Sequence, residues 1–272
     1  MLDGDARERF PSALQALLLV LALFLAEYAW GALLYDARHA LGLEELEQVW
    51  ALAILLSYGT LLTLAMHFLK LGHRQLFHPS QASLSATAGL LLPLVACLVP
   101  GLLLSIGLLL SAVVQVLPLS NAEVALFKTL SSDSLAMHLM VCVMAPLLEE
   151  MLFRGVVLRG FLARYPRWPA IVGSALLFGV AHLNVYQFLV GLVMGTLLGW
   201  LYERSRSLLP CVALHAAYNL GWLAIADTKR QIGPLDAPDW MMSLPVWAAA
   251  AALAWVGVAG LRRVLGAGRA PR

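Results

Sequence analysis

The feature that constrains the fold most is a series of apolar segments, most of them close to the length of a membrane-crossing helix. Such a helix needs about 20 mainly apolar residues. Eight segments approach this description: residues 13–35, 49–69, 85–117, 134–155, 168–183, 186–202, 208–226 and 244–261. The composition agrees, since 61% of the residues are hydrophobic and 12% are charged, against about 45–50% and 25% in soluble domains. We therefore predict an all-α, polytopic membrane protein with about eight transmembrane helices.

The third segment leaves the number of crossings open. Residues 85–117 are too many for one straight crossing, and Pro93 and Pro100 interrupt them. Because proline removes a backbone hydrogen bond and bends a helix, a kinked helix and a re-entrant piece are both compatible with this segment. If it crosses twice, the orientation of everything after it changes.

The basic residues predict the orientation of a chain that crosses once at that segment. With both termini in the cytoplasm, the inner side holds fourteen of the 18 Lys and Arg residues, and the outer side holds Arg38, Lys128, Lys229 and Arg230. Lys and Arg collect on the cytoplasmic side of membrane proteins. We predict an integral protein of the bacterial inner (plasma) membrane with both termini cytoplasmic. The net charge of +2 and the lack of a basic run predict no nucleic-acid partner.

Two adjacent carboxylates and an arginine end the apolar run 134–148. Ionisable groups are costly inside a membrane and usually mark a function there. On a helix, residues four apart share a face and adjacent residues point about 100° apart. Glu150 is therefore predicted to pair with Arg154, which leaves Glu149 available for chemistry. The alternative is a helix that ends before Glu149 and leaves both acids in water.

Two later spans carry polar residues of the kind that a catalytic carboxylate uses. His182 ends the fifth span, and His215 and Asn219, four apart, share a face of the seventh. Each also has a structural interpretation, as an interfacial histidine or as an interhelical hydrogen-bonding pair. At 1.5 Å per residue from the basic ends, the depths are about 22 Å for Glu149 and His182, about 13 Å for His215 and about 20 Å for Asn219. All four then lie in one layer of the bilayer, provided that the fourth helix continues without a break.

These four residues suit hydrolysis by an activated water molecule. A carboxylate near a neutral histidine can take a proton from water and make it nucleophilic. A second histidine and an asparagine amide are donors that stabilise the oxyanion formed when a carbonyl is attacked. The chain has no Gly-x-Ser-x-Gly and no His-Glu-x-x-His, the motifs of elbow nucleophiles and of zincins. The residues predict hydrolysis of an acyl bond such as a peptide, without a covalent intermediate.

The three motifs resemble those of a known family. They are Glu149-Glu150-x-x-x-Arg154, Phe178-x-x-x-His182 and His215-x-x-x-Asn219, in this order. They are similar to the motifs of the CPBP (CAAX protease and bacteriocin-processing, or Abi) intramembrane proteases, which include the type II CAAX prenyl endopeptidases. The resemblance implies N-terminal, family-variable transmembrane helices in residues 1–130, a CPBP/Abi-like catalytic core in residues 131–228, and a last helix with a basic cytoplasmic tail in residues 229–272.

The resemblance also implies roles for individual residues. Glu149 and His182 would activate water, and His215 and Asn219 would form the oxyanion site. Three residues would support them: Glu150, Arg154 and Phe178. We expect no cofactor. The alternative is a zinc-dependent protease, because a carboxylate and two imidazoles from Glu149, His182 and His215 could form a catalytic zinc site with an open position. Asn219 beside His215 favours the metal-free version.

Two other classes of function compete with a protease. Buried Glu and His residues also build the proton relays of proton-coupled transporters, although the chain has no evident inverted repeat. A non-catalytic immunity or scaffold protein of the membrane is the third class. For the protease, the expected partners are membrane lipid and a peptide or protein substrate, either lipidated or carrying a C-terminal membrane signal. The sequence predicts no oligomeric state.

Two further groups of residues have structural interpretations. Gly191, Gly195 and Gly199 form a small-residue stripe that predicts close helix packing. Polar residues near predicted span ends are expected to snorkel toward the membrane surface: Glu27, His67, Gln115 and His138.

Overall fold

The structure is a computed structural model that describes residues 9–228 and 243–266. The predicted outer residues Lys229 and Arg230 and the tail 267–272 lie outside the described residues. Helices account for all the regular structure in the described ranges, which confirms the all-α prediction. They are α1 (Ala13–Ala37), α2 (Leu46–Leu69), α3 (His73–Phe77), α4 (Leu84–Ala96), α5 (Val99–Val116), α6 (Asn121–Leu130), α7 (residues 135–164), α8 (Arg167–Val180), α9 (Val185–Ser205), α10 (Leu209–Thr228) and α11 (Leu244–Gly266).

Six of these helices are long and apolar enough to cross a membrane: α1, α2, α5, α9, α10 and α11. Two shorter apolar helices, α4 and α8, add to them. Together with the continuous helix α7, they make the chain an integral, polytopic membrane protein. The count of eight crossings stays a prediction.

The long third segment consists of two helices. Pro93 lies inside α4, and Pro100 stands in the first turn of α5, where its missing N–H costs no helical hydrogen bond. Between them, the N–H of Cys97 donates to the carbonyl of Pro93 (3.2 Å) and the N–H of Leu98 to that of Val95 (3.1 Å). The break therefore falls between the two prolines.

Helix α7 is continuous but not uniform. Its consecutive segments are Leu135–Leu139, the π-helical Met140–Met144, Ala145–Glu150, the π-helical Met151–Leu158, and Arg159–Arg164. The helix therefore passes through Gly155 and ends beside Tyr165, as the depth argument assumed. Glu149 and Glu150 lie inside it, so the alternative in which the helix ends before them is wrong.

The described residues form two compact units. The first holds α1, α2, α3, α7, α8 and α9, around an apolar core to which Leu23, Tyr58, Leu152 and Phe178 contribute. The second holds α4, α5, α6, α10 and α11, and in it Gly257 of α11 packs closely on the carbonyl of Leu94. The predicted division at residues 130 and 228 stays a prediction.

One end of the first unit collects basic side chains. The side chain of Arg164 donates to the carbonyl of Arg9. Oε2 of Glu203 forms ion pairs with Nε of Arg167 (3.0 Å) and Nε of Arg204 (3.4 Å). These four arginines were all predicted to lie on the cytoplasmic side. Their grouping at one end agrees with the prediction that the N-terminus, the α7–α8 connection and the α9–α10 connection lie on the same side of the membrane.

Candidate active site

The two adjacent glutamates lie between the π-helical segments of α7. A proline ring clashes with the carbonyl four residues earlier in a regular α-helix, so the wider turn directly before Pro146 has a local cause. Single π turns often occur at functional sites. In this setting the Glu150 side chain is fully buried and that of Glu149 is half-buried. The two carboxylates therefore occupy different environments, as the helical geometry predicted.

Glu150 forms an ion pair with Arg154 inside the first unit. The distance from Nη1 to Oε1 is 3.0 Å, and the two side chains are 0% and 1% exposed. The guanidinium carbon also lies 4.5 Å from the ring centroid of Phe178, in a cation–π arrangement. The predicted pairing is thus present, and Phe178 of α8 provides a second contact for the buried cation.

Phe178 connects the first motif with the second. Its ring stands edge-to-face to the rings of Phe153 and His182, each with centroids 5.1 Å apart. The hydroxyl of Ser174, one turn earlier on α8, donates to the carbonyl of Phe153 (3.0 Å) in the second π segment. Aromatic contacts and this buried hydrogen bond therefore hold α8 against α7 where the glutamates lie.

His182 follows the end of α8 in a defined orientation. Its Nδ1 lies 2.9 Å from the carbonyl oxygen of Phe178. A carbonyl can only accept, so Nδ1 carries the hydrogen, and in the neutral ring Nε2 has the lone pair. Asn184 then caps α9 by accepting from the N–H groups of Tyr186 (3.0 Å) and Gln187 (3.1 Å). The half-buried His182 is thus set to accept a hydrogen bond or a proton at Nε2.

The glycine stripe of α9 makes the close helix contact that was predicted. A Cβ added at Gly191 would lie 2.9 Å from the Cα of Gly179, and one added at Gly195 would lie 2.9 Å from the Cβ of Ala175. The same Cβ on Gly195 would lie 3.3 Å from Nη2 of Arg154. The small residues therefore let α9 approach both α8 and the buried guanidinium.

His215 and Asn219 of the third motif lie on α10, in the second unit. The helix is continuous through both, so residues four apart share a face as predicted. His215 is buried, and Asn219 is half-buried. A buried histidine in an apolar helix is a costly placement, which is the signal that singled it out in the sequence.

Glu27 lies near the candidate site, where the sequence analysis did not place it. It was expected near a span end, but it lies well inside α1, and that prediction is wrong. Glu27 is close enough to Glu149 for their charges to interact, and the buried Tyr58 of α2 interacts with both. The sequence signal that could have revealed Glu27 is the heptad-like spacing of the residues around it, which places it on the buried face of α1.

Across residues 9–228 and 243–266, no group of three His, Cys, Asp or Glu side chains is arranged as a metal site. The zinc-dependent alternative stays a prediction, and no step below is routed through zinc.

Taken together, the helices and the buried charges define a class of protein. This is an all-α integral membrane protein with a buried Glu–Arg pair, a second, half-buried carboxylate and an oriented histidine in one compact unit. Residues 131–221 match the family model described as type II CAAX prenyl endopeptidase Rce1-like. The match spans all three motifs and confirms the resemblance to the CAAX protease (CPBP) family for this part of the chain. The family implies intramembrane protease activity. No curated protein and no solved structure matches the chain.

Proposed function

We propose that the chain is an intramembrane endopeptidase that hydrolyses a peptide bond of a membrane-associated protein or peptide. The observation that carries the proposal is the different placement of two adjacent glutamates. Glu150 is buried and paired with Arg154 at 3.0 Å, whereas Glu149 is half-buried. A general base has to reach its water, so Glu149 is the carboxylate suited to this role.

The proposed reaction is a direct attack by water. Glu149 takes a proton from the water as its oxygen bonds to the carbonyl carbon of the substrate. His182 holds that water by accepting a hydrogen bond at Nε2. The carbonyl oxygen becomes an oxyanion, which accepts hydrogen bonds from His215 and Asn219. When the C–N bond breaks, Glu149 returns the proton to the leaving amine, so no covalent intermediate forms.

Glu150, Arg154 and Phe178 are proposed to support this chemistry without touching the substrate. The ion pair keeps one charge of each sign inside the apolar core, and the ring of Phe178 lies between the guanidinium and the imidazole of His182. A rigid contact of this kind fixes the catalytic groups before the substrate arrives, which lowers the barrier.

We propose a substrate that is either lipidated or marked by a C-terminal membrane signal, because a site formed by membrane helices receives substrates from the bilayer. The setting we propose is a bacterial inner membrane with both chain termini in the cytoplasm. The supporting observation is the basic end of the first unit, since Lys and Arg collect on the cytoplasmic side.

Cleavage by the full chain in liposomes tests the proposal. The probe is an internally quenched, farnesylated peptide that ends in a CAAX sequence. Further probes come from comparing the membrane peptides of cells that carry the wild type with those of cells that carry Glu149→Ala. Glu149→Gln is expected to lower kcat by about 10²- to 10⁴-fold, the usual share of a general base. The matched control is Glu44→Gln, which removes an exposed carboxylate before α2 and should leave kcat unchanged.

Near-normal cleavage by Glu149→Gln would overturn the role of Glu149. A chelator separates the two versions of the mechanism. The metal-free version predicts unchanged cleavage after chelation, whereas a loss that zinc restores would favour the zinc-dependent protease.

A further inference from the structure

Glu27 occupies a core position of α1. It follows Leu23 by four residues and precedes Leu34 by seven, a spacing that keeps side chains on one helix face. The opposite face is marked by Leu25 and Tyr28, which are 70% and 79% exposed. The buried side chains of the core face are Ala16, Val20, Leu23 and Leu34. A carboxylate thus stands in a series of otherwise buried apolar side chains.

Contacts with α2 fix the register of this face. The indole N–H of Trp30 donates to the hydroxyl of Thr60 (3.3 Å), which ties the turn after Glu27 to α2. Two residues before Thr60, Tyr58 belongs to the same apolar cluster as Leu23 and Leu148. Leu148 directly precedes the proposed general base, so the core face of α1 and Tyr58 both reach the glutamate segment of α7.

Three polar groups from three helices meet at this point. Glu27 and Glu149 lie within range of electrostatic interaction, and the Tyr58 hydroxyl lies within that range of both carboxyl groups. Leu23 and Leu148 around them are 1% and 7% exposed, but Glu27 and Glu149 are each half-buried. Both carboxylates are therefore partly exposed, so a water molecule that reaches them finds the polar partners that it needs.

We propose that Glu27 is a positioning residue of the active site, which acts on the proposed general base Glu149 from α1. The inference rests on the proposed function. Two ionised carboxylates that interact at a partly buried site would repel each other. A carboxyl that keeps its proton has one O–H to donate, and the Glu27 O–H directed at Glu149 orients that carboxylate toward the water.

A consequence is that the site extends beyond the segment that matches the family. Residues 131–221 carry the three motifs, but Glu27 and Tyr58 belong to the first two helices. These N-terminal helices then contribute chemistry as well as membrane anchoring.

The first test separates a hydrogen-bond donor from a structural role. The farnesylated CAAX peptide is the probe, and kcat and KM are measured for Glu27→Leu and Glu27→Gln. Leu removes the donor and should lower kcat by about tenfold with KM unchanged. Gln keeps an N–H donor and should restore most of kcat. The matched control is Tyr28→Leu on the lipid-facing side of α1, which should change neither constant. Wild-type kcat in Glu27→Leu overturns the inference.

The second test does not depend on peptide cleavage, and it does not require the Glu27→Leu variant to fold. Cys97, Cys142 and Cys211 are replaced by alanine, and Glu27→Cys and Tyr28→Cys are compared in liposomes with a charged, membrane-impermeant thiol reagent. Such a reagent reacts only where water reaches the thiol, so Glu27→Cys should react several-fold faster. Equal or slower labelling of Glu27→Cys overturns the inference. A wild-type chain that cleaves no probe overturns the proposed function, and the labelling then still decides whether Glu27 borders a water-filled opening.

Discussion

Neutralising Glu150 is expected to destabilise the folded protein by about 3 kcal/mol. Glu150 and Arg154 are 0% and 1% exposed and lie 3.0 Å apart, so Glu150→Gln leaves an arginine charge in the core without its counter-charge. Removing one partner of a buried pair costs about 3–5 kcal/mol, because the remaining charge stays desolvated. The ring of Phe178, 4.5 Å from the guanidinium, retains about 0.5–2 kcal/mol of cation–π attraction. We therefore expect the loss of stability in Glu150→Gln to lie at the lower end of this range.

The expected shift is large enough to measure by thermal unfolding. A change of 1 kcal/mol moves the Tm of a chain of 150–250 residues by about 2–4 °C, so Glu150→Gln should lower Tm by about 6–12 °C. The assay follows a thiol-reactive fluorophore in detergent, with the half-buried Cys97 and Cys142 replaced by alanine, because Cys211 is buried and reacts on unfolding. The control is Glu149→Gln, the same change one residue earlier, which should lose cleavage but shift Tm by less than about 2 °C.

A double substitution isolates the pair itself. Glu150→Gln with Arg154→Met removes both charges and keeps an apolar stem in place of the guanidinium. Replacing a buried ion pair with apolar groups is often close to neutral, so the double variant should be more stable than Glu150→Gln alone, with a coupling of about 2–3 kcal/mol. A Tm shift below about 2 °C in Glu150→Gln, or additive effects in the double variant, would refute the argument.

Three further substitutions, two of them with a control variant, test the helix contacts around the site by the same Tm assay. Gly195→Ala should lower Tm, because its Cβ would lie 2.9 Å from that of Ala175, whereas Gly31→Ala, with nothing within 4 Å of the added Cβ, should raise stability by up to about 1 kcal/mol through helix propensity. Phe178→Leu should lower both Tm and kcat, since the ring contacts the buried guanidinium and the imidazole of His182, which is proposed to act in catalysis; unchanged kcat would separate the ring from catalysis. Ser174→Ala should cost about 1–3 kcal/mol, because a buried carbonyl in the second π segment loses its donor, and Ser174→Thr should recover most of that loss.

Much of the architecture follows from periodicity and spacing alone. Apolar length predicts the helices, and i, i+4 spacing predicts the contact between Glu150 and Arg154, because local helix geometry brings these side chains together in any setting. The stripe from Gly191 to Gly199 likewise predicts a close helix contact. For the segment that contains Pro93 and Pro100, the sequence left two alternatives, a kinked helix and a re-entrant piece. A proline bends a helix or ends it according to what packs around it.

The sequence by itself determined the membrane class, the three motifs and the pairing of Glu150 rather than Glu149 with Arg154, because each depends on length or spacing along a helix. Only the tertiary structure decided which distant groups meet them. It set the ring of Phe178 between Arg154 and His182, and it brought Glu27 from α1 toward Glu149. Contacts between helices depend on rotation and register, which no single segment encodes, and a lone carboxylate in an apolar span therefore shows its partner only when the helices have packed.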